Sequence, residues 1–399
     1  MNKDSLSLPQ RRAFLAWGVG GFGAFLLGAG NRGALGAAND TRLYLDPATL
    51  GELQASDGNG LRLPRGFASR IVARSGQIVH DGSPYRWHNA PDGGACFATD
   101  DGGWIYVSNS EVKQVAGGGG VGALRFAANG DIVAAYPILE QSDNNCAGGG
   151  TPWRTWLSCE EVDRGFVHEC DPYGHKAAEL RPALGRFRHE AVAVDPEQGR
   201  LYLTEDEPDG ALYRFIPDKG LPDLSAGTLQ VAEVVTRDER MTVRWHDVPD
   251  PAATSERTSH QVGATTHFNG GEGIAWHNGL LYFTTKGDNR VWQYDTVSGE
   301  LMVLYQAQTS ATPHLSGVDN LTITAAGDVL VAEDGGDMQI VLLTPGGLVL
   351  PVVQVVGQDA SEICGPAFDP SFQRLYFSSQ TGPANRDDDG ITYEIRRLI

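Results

Sequence analysis

The chain has 399 residues, 41% of them hydrophobic, with 51 glycines, 9% aromatics and a formal net charge of −19. Such a length can bury a large core, and the acidic balance excludes a nucleic-acid partner, whose phosphates need a basic surface. Abundant glycine with scarce lysine suits short strands joined by turns, so an all-β fold is expected.

Gln10-Arg11-Arg12-Ala13-Phe14-Leu15 precedes an uncharged, glycine-rich run from Ala13 to Gly30 and the small residues Gly36-Ala37-Ala38. This twin-arginine pattern routes folded proteins across the bacterial inner membrane. Residues 1–38 therefore read as an export signal and residues 39–399 as a single domain bound for the periplasm or beyond, with the twin-arginine machinery as a partner. The apolar run is at the lower limit for a membrane span, and its glycines weaken it. Removal without stable membrane insertion is expected, an uncleaved anchor being the alternative. Export in the folded state suits a metal loaded beforehand.

Five cysteines remain, Cys96, Cys146, Cys159, Cys170 and Cys364, an odd number for an oxidising compartment. Cys159 and Cys170 are placed to bridge a hairpin. Cys146 is the one read as free, in the stretch Asn145-Cys146-Ala147-Gly148-Gly149-Gly150-Thr151-Pro152-Trp153-Arg154-Thr155-Trp156-Leu157-Ser158-Cys159-Glu160-Glu161. No ordinary core strand needs a thiol, a glycine run, two indoles and a carboxylate pair together.

The second half of that stretch belongs to a repeat. Ile105-Tyr106-Val107-Ser108, Thr155-Trp156-Leu157-Ser158, Leu201-Tyr202-Leu203-Thr204, Leu281-Tyr282-Phe283-Thr284, Val329-Leu330-Val331-Ala332 and Leu375-Tyr376-Phe377-Ser378 follow one another at 50, 46, 80, 48 and 46 residues, by subtraction of their first positions. A period near 47 with one insertion is the signature of a six-bladed β-propeller with irregular insertions. Upstream of the six copies lie short strands headed by Cys96, Cys146, Glu190, Glu272, Asp319 and Cys364. The innermost strand of a blade starts at the central channel, so these heads are expected to face one axial cavity. Residues 218–270, with His246, His260 and His267, read as an insertion covering one face. Ile391-Thr392-Tyr393-Glu394-Ile395 is expected to close the ring beside Ile71-Val72-Ala73, which removes an exposed sheet edge.

Glu190, Glu272 and Asp319 share one register, and three copies of the repeat end in acid pairs, Glu160-Glu161, Glu205-Asp206 and Glu333-Asp334. Bare carboxylates crowded on one axis repel and raise one another's pKa; bound cations resolve the conflict. A solvated acidic surface accounts for the rest of the charge. Oxygen ligands favour Ca²⁺, Mg²⁺ or Mn²⁺, whereas a Cys146 thiolate points to iron or zinc. Cys96 and Cys364 read as buried small hydrophobes, Asp387-Asp388-Asp389 as a solvated loop, and His189 as either a ligand or the partner of one.

The cysteine stretch, together with Gly185-Arg186-Phe187-Arg188-His189-Glu190, Leu203-Thr204-Glu205-Asp206 and Tyr213-Arg214-Phe215, resembles the PhoX family of exported bacterial alkaline phosphatases over residues 40–399. That resemblance implies a six-bladed propeller, a small-molecule phosphate ester as substrate, and a centre of two ferric ions (Fe3+) and three calcium ions (Ca2+) bridged by an oxo group. It implies that Cys146 binds iron, that Glu190 and Glu272 join the cluster, and that Glu160, Glu161, Glu205, Asp206, Asp319, Glu333 and Asp334 hold calcium. The family carries Asp-Arg-Pro-Glu, with the arginine gripping phosphate, where this chain has Asn269-Gly270-Gly271-Glu272. Arg154 stands where the family has glycine. Either Arg154 is the catalytic anion clamp or the substrate differs, which leaves a calcium-dependent lactonase or a non-catalytic, calcium-stabilised binding propeller as alternatives to a monomeric phosphatase.

Overall fold

A computed structural model describes Leu43 and residues 45–398, so the export signal read in residues 1–38 lies outside the described residues. Among the described residues the chain forms 26 strands and four short 3-10 helices, and no helix is long and apolar enough to cross a membrane. The arrangement is all-β and propeller-like.

Six inner strands, Pro91–Ala98, Asn145–Gly150, His189–Asp195, Gly271–His277, Val318–Ile323 and Ile363–Phe368, lie side by side, and the last packs on the first. Each pairs antiparallel with one aromatic strand: Trp104–Ser110, Trp156–Glu160, Arg200–Glu205, Leu280–Thr285, Val329–Glu333 and Arg374–Ser379. The apolar side chains of these strands form six clusters, five shared by two neighbouring repeats and one, through Ala147, by three. Tyr106, for example, stacks on Tyr376 at 5.0 Å between centroids, joining the first repeat to the last. The core is thus a circle of wedges, and acidic residues gather at one end of its centre.

Phe67–Arg74 pairs with Ile391–Arg397, so the two ends of the domain are stitched into one sheet, as the sequence suggests. The sheets do not form six separate blades. Four have four or five strands and the fifth has nine. The cause lies in the stretch read as an irregular insertion, which contains the hairpin Gly227–Arg237 and Arg240–Asp247. Its second strand also pairs Met241 with Leu301 and Thr242 with Glu300, fusing two repeats. Cys159 and Cys170 lie on one hairpin but face Val167 and Trp156, and all five cysteines are free.

Close approach of the inner strands explains the glycine run. A Cβ on Gly149 would stand 1.9 Å from the carbonyl oxygen of Val192 in the next inner strand, so only glycine fits there. Gly149→Val is expected to destabilise by about 3 kcal/mol, the upper range for overpacking, whereas Gly263→Ala, where a Cβ meets nothing within 4 Å, is expected to be near neutral; urea unfolding of the two variants checks the contrast.

Candidate metal centre

Every inner strand carries a pairing irregularity at its start, between Pro91 and Gly94, Asn145 and Gly148, His189 and Val192, Gly271 and Ile274, Val318 and Leu321, and Cys364 and Ala367. Bulges re-aim side chains beside functional sites. Here they set Asp92, Cys146, Glu190, Glu272, Asp319 and Cys364, all buried, at equivalent places around the axis. The following residues are small, Gly93, Ala147, Ala191, Gly273 and Gly365, with Asn320 the exception. A Cβ on Gly93 would lie 2.5 Å from the Ala147 Cα. Without that compactness the ring could not close.

A second ring comes from the residues just past the aromatic strands: Glu111, Glu161, Asp206, Lys286, Asp334 and Gln380. The pairings of Asn145 with Glu160, His189 with Glu205 and Val318 with Glu333 fix this alignment. They also shift the second copy of the repeat by one residue, to Trp156-Leu157-Ser158-Cys159.

Four sets of three converge, each with its ligand atoms within 4.8 Å of one another: Cys146, Glu161 and Glu190; Glu190, Glu272 and Asp319; Asp92, Glu111 and Cys146; Asp92, Glu362 and Cys364. Shared members link all four into one chain of donors. Cys146 Sγ is 3.3 Å from Glu190 Oε1, to which the Asn320 amide donates at 3.5 Å. Glu190 Oε2 is buried without a partner. Gln380 Nε2 donates to Asp92 at 2.6 Å and to Glu111 at 2.5 Å, and Arg188 holds Glu161 at 2.8 Å.

The acid pairs divide. Glu160, Glu205 and Glu333 point away from the axis, and each accepts from the backbone N–H six residues on, at Phe166, Ala211 and Gln339, all at 3.0 Å. His168, Tyr213 and the Ser316 N–H complete their partners. These three carboxylates clasp their own turns, whereas the sequence expectation has them as cation ligands, and they stand outside the four convergent sets. Their successors Glu161, Asp206 and Asp334 are the axial members. Asp206 and Asp334 stay outside the four sets and lie 3.9 and 3.5 Å from Lys286 Nζ.

Arg154 is also displaced. It sits in the turn beyond the far end of its inner strand, half-exposed, donating to the Ala98 carbonyl at 2.6 Å and lying over the Tyr173 ring. The cluster occupies the opposite ends of the same strands, so the structure does not bring Arg154, expected as an anion clamp, to it. Cys96 likewise lies down the strand opposite Tyr106, lining the cavity at the other end of the axis. Asp92 takes its place because the first hairpin is longer: Pro91 pairs with Ser110, 19 positions on, where Asn145 pairs with Glu160, 15 on, and His189 with Glu205, 16 on. Glu111 and Glu362 escape strand-start counting because one follows the strand that ends at Ser110 and the other precedes the strand that begins at Ile363. The Pro91-Asp92-Gly93-Gly94 run was the available clue.

Burial first, then the neighbouring carboxylates, pushes Asp92, Glu190, Asp319 and Glu362 well above the usual range. The same causes lift Glu161 to about 10 despite Arg188. Glu272 rises to about 8 through burial, with Lys286 restraining it. Burial and the adjacent acids raise the thiols of Cys146 and Cys364. A buried carboxylate oxygen with no donor, among oxygens and two sulfurs, fits hard cations with a softer one near Cys146.

The family model for alkaline phosphatase PhoX matches residues 139–383. No curated protein matches the sequence. Among solved structures, PhoX of Pseudomonas fluorescens, in complex with vanadate, a transition state analogue, is similar with a TM-score of 0.70 at 16% identity, over 85% of this chain and 96% of that one. A Bacteroides thetaiotaomicron protein of unknown function has a TM-score of 0.53 at 9% identity, over 83% and 76%. A putative gluconolactonase has a TM-score of 0.50 at 15% identity, over 84% and 93%. At these identities the likeness concerns the fold.

Raised carboxyl pKa values carry a sign. Each group binds its proton more tightly folded than unfolded, so without a cation its contribution is full below the ordinary carboxylate pKa and is lost as pH rises through the folded value, about 8 for Glu272 and about 10 for Glu161. Chelator-treated protein is expected to melt at progressively lower temperature as pH is raised from mildly acidic to alkaline, and added Ca²⁺ is expected to abolish that slope; scanning calorimetry across pH checks both.

Proposed function

This chain belongs to the alkaline phosphatase PhoX family, and we propose that it is a metal-dependent phosphatase acting on small phosphate esters, monoesters or diesters, after export to the periplasm or beyond. The observation that carries this reading is the axial chain of buried donors, above all Glu190 with its unpartnered oxygen between Cys146 and Asp319. Calcium and ferric iron are the proposed ions. Glu190, Glu272 and Asp319 would hold one position, Cys146 and Glu161 the iron, and Asp92, Glu111, Glu362 and Cys364 the rest. We read the nine-stranded sheet as two fused blades, which makes the monomer a six-bladed, single-domain propeller.

Cations bound there would polarise phosphoryl oxygens and offset charge on the leaving oxygen. The chain's own residues fix the donors. Arg188 orients Glu161, Gln380 ties Asp92 to Glu111, and Asn320 spans from Glu190 to the Gly365 N–H at 2.8 Å, flooring the site. The vanadate complex of the similar Pseudomonas fluorescens PhoX supports phosphoryl transfer as the reaction.

Protein purified through its native export route is expected to contain iron and calcium by elemental analysis and to hydrolyse a chromogenic phosphate, not a panel of lactones. Calcium alone with lactone turnover would move the assignment to a lactonase; calcium with neither activity would favour a binding propeller. Cys146→Ser is expected to lose the iron and any charge-transfer colour while keeping the β-sheet spectrum, and Glu272→Gln to lower metal content and kcat/KM by about 10–100-fold, the scale for disturbed metal shells.

A further inference from the structure

Of the six residues that follow the aromatic strands, four are Glu111, Glu161, Asp206 and Asp334, one is Gln380, and one is a cation, Lys286. Thr285 precedes it where other repeats have Glu160, Glu205 or Glu333. The fourth repeat therefore has Thr285-Lys286 where three others have an acid pair, and its ammonium stands where four of the other five send a carboxylate. Lys286 Nζ lies 2.8 Å from Glu272, 3.5 Å from Asp334 and 3.9 Å from Asp206. Three carboxylates from three consecutive repeats thus face one nitrogen, and two of them take part in none of the convergent sets.

The backbone prepares this place. Gly270 has φ +68, and a Cβ on it would stand 3.2 Å from an Asp206 oxygen and 3.6 Å from the Lys286 Cβ. The Lys286 N–H donates to the Gly270 carbonyl at 2.7 Å. A side chain at 270 would intrude between the lysine stem and Asp206, so the glycine and the lysine belong to one arrangement. An ammonium is a compact point charge with three donors, and three carboxylates gathered about one point are also what Ca²⁺ would take once drawn in to roughly 2.3–2.6 Å.

We infer that Lys286 is a resident cation that fills one of the cation positions of the axial centre, so that the chain loads one divalent ion fewer than its acids would otherwise accept. The inference rests on the reading of the ring as a metal centre. It explains why Asp206 and Asp334 turn to the lysine rather than joining the donor chain.

The test is a calcium titration by calorimetry, with elemental analysis, on the full chain and on Lys286→Glu, which gives the fourth repeat an acid like its neighbours. One additional Ca²⁺ per chain in the variant is expected, with a melting temperature that rises more steeply with Ca²⁺ than the parent's. Should Lys286→Glu fail to fold even in Ca²⁺, Lys286→Gln decides, since removing the ammonium alone is expected to open one weaker Ca²⁺ site. Equal ion counts in the parent and the folded variant would overturn the inference while leaving the metal centre intact. A parent that binds no cation would overturn the metal reading and the inference together.

Discussion

Gathering buried carboxylates on one axis is the constraint to which the rest of this structure answers. Two unit charges 4.8 Å apart, the outer limit of the convergent sets, repel by about 3.5 kcal/mol at an effective dielectric near 20. With Asp92, Glu190, Glu272 and Asp319 all buried, several such terms add, and burial adds a further cost for each charge. The chain supplies little internal relief, chiefly Arg188 at Glu161 and Lys286 at Glu272. Cations on the axis would supply the remainder.

The circle of wedges makes the crowding sustainable. Each hydrophobic cluster joins neighbouring repeats, and the pairing of Phe67–Arg74 with Ile391–Arg397 closes the circle. A bulge in each inner strand then turns one side chain to the centre, and small residues behind it let the strands meet. Apolar packing at the periphery thus holds a charged centre that would not assemble unaided.

Much of this is legible in the sequence because the aromatic strands repeat with a period that sterics enforce. The pattern around Tyr202, Tyr282 and Tyr376 locates the inner strands, and with them Glu190, Glu272, Asp319 and Cys146. Counting fails where a hairpin lengthens by several residues, which hid Asp92 four positions before Cys96. It also cannot separate adjacent acids: Glu160 and Glu161 are neighbours in sequence, yet the alternation of side chains at a strand end sends one into its turn and the other to the axis. Arg154 stands next to the cysteine motif in sequence, but strand polarity puts it at the opposite face. The fusion of two repeats through Arg240–Asp247 depends on edge pairing between outer strands, which no periodicity records.

Anomalous diffraction from crystals of the natively exported protein tests the central claim most directly. A difference map at the iron edge is expected to show a peak between Cys146 Sγ and Glu190, and long-wavelength data to show calcium among the carboxylates of Glu190, Glu272 and Asp319. Anomalous maps without density on the axis, from crystals grown without chelator, would contradict the account.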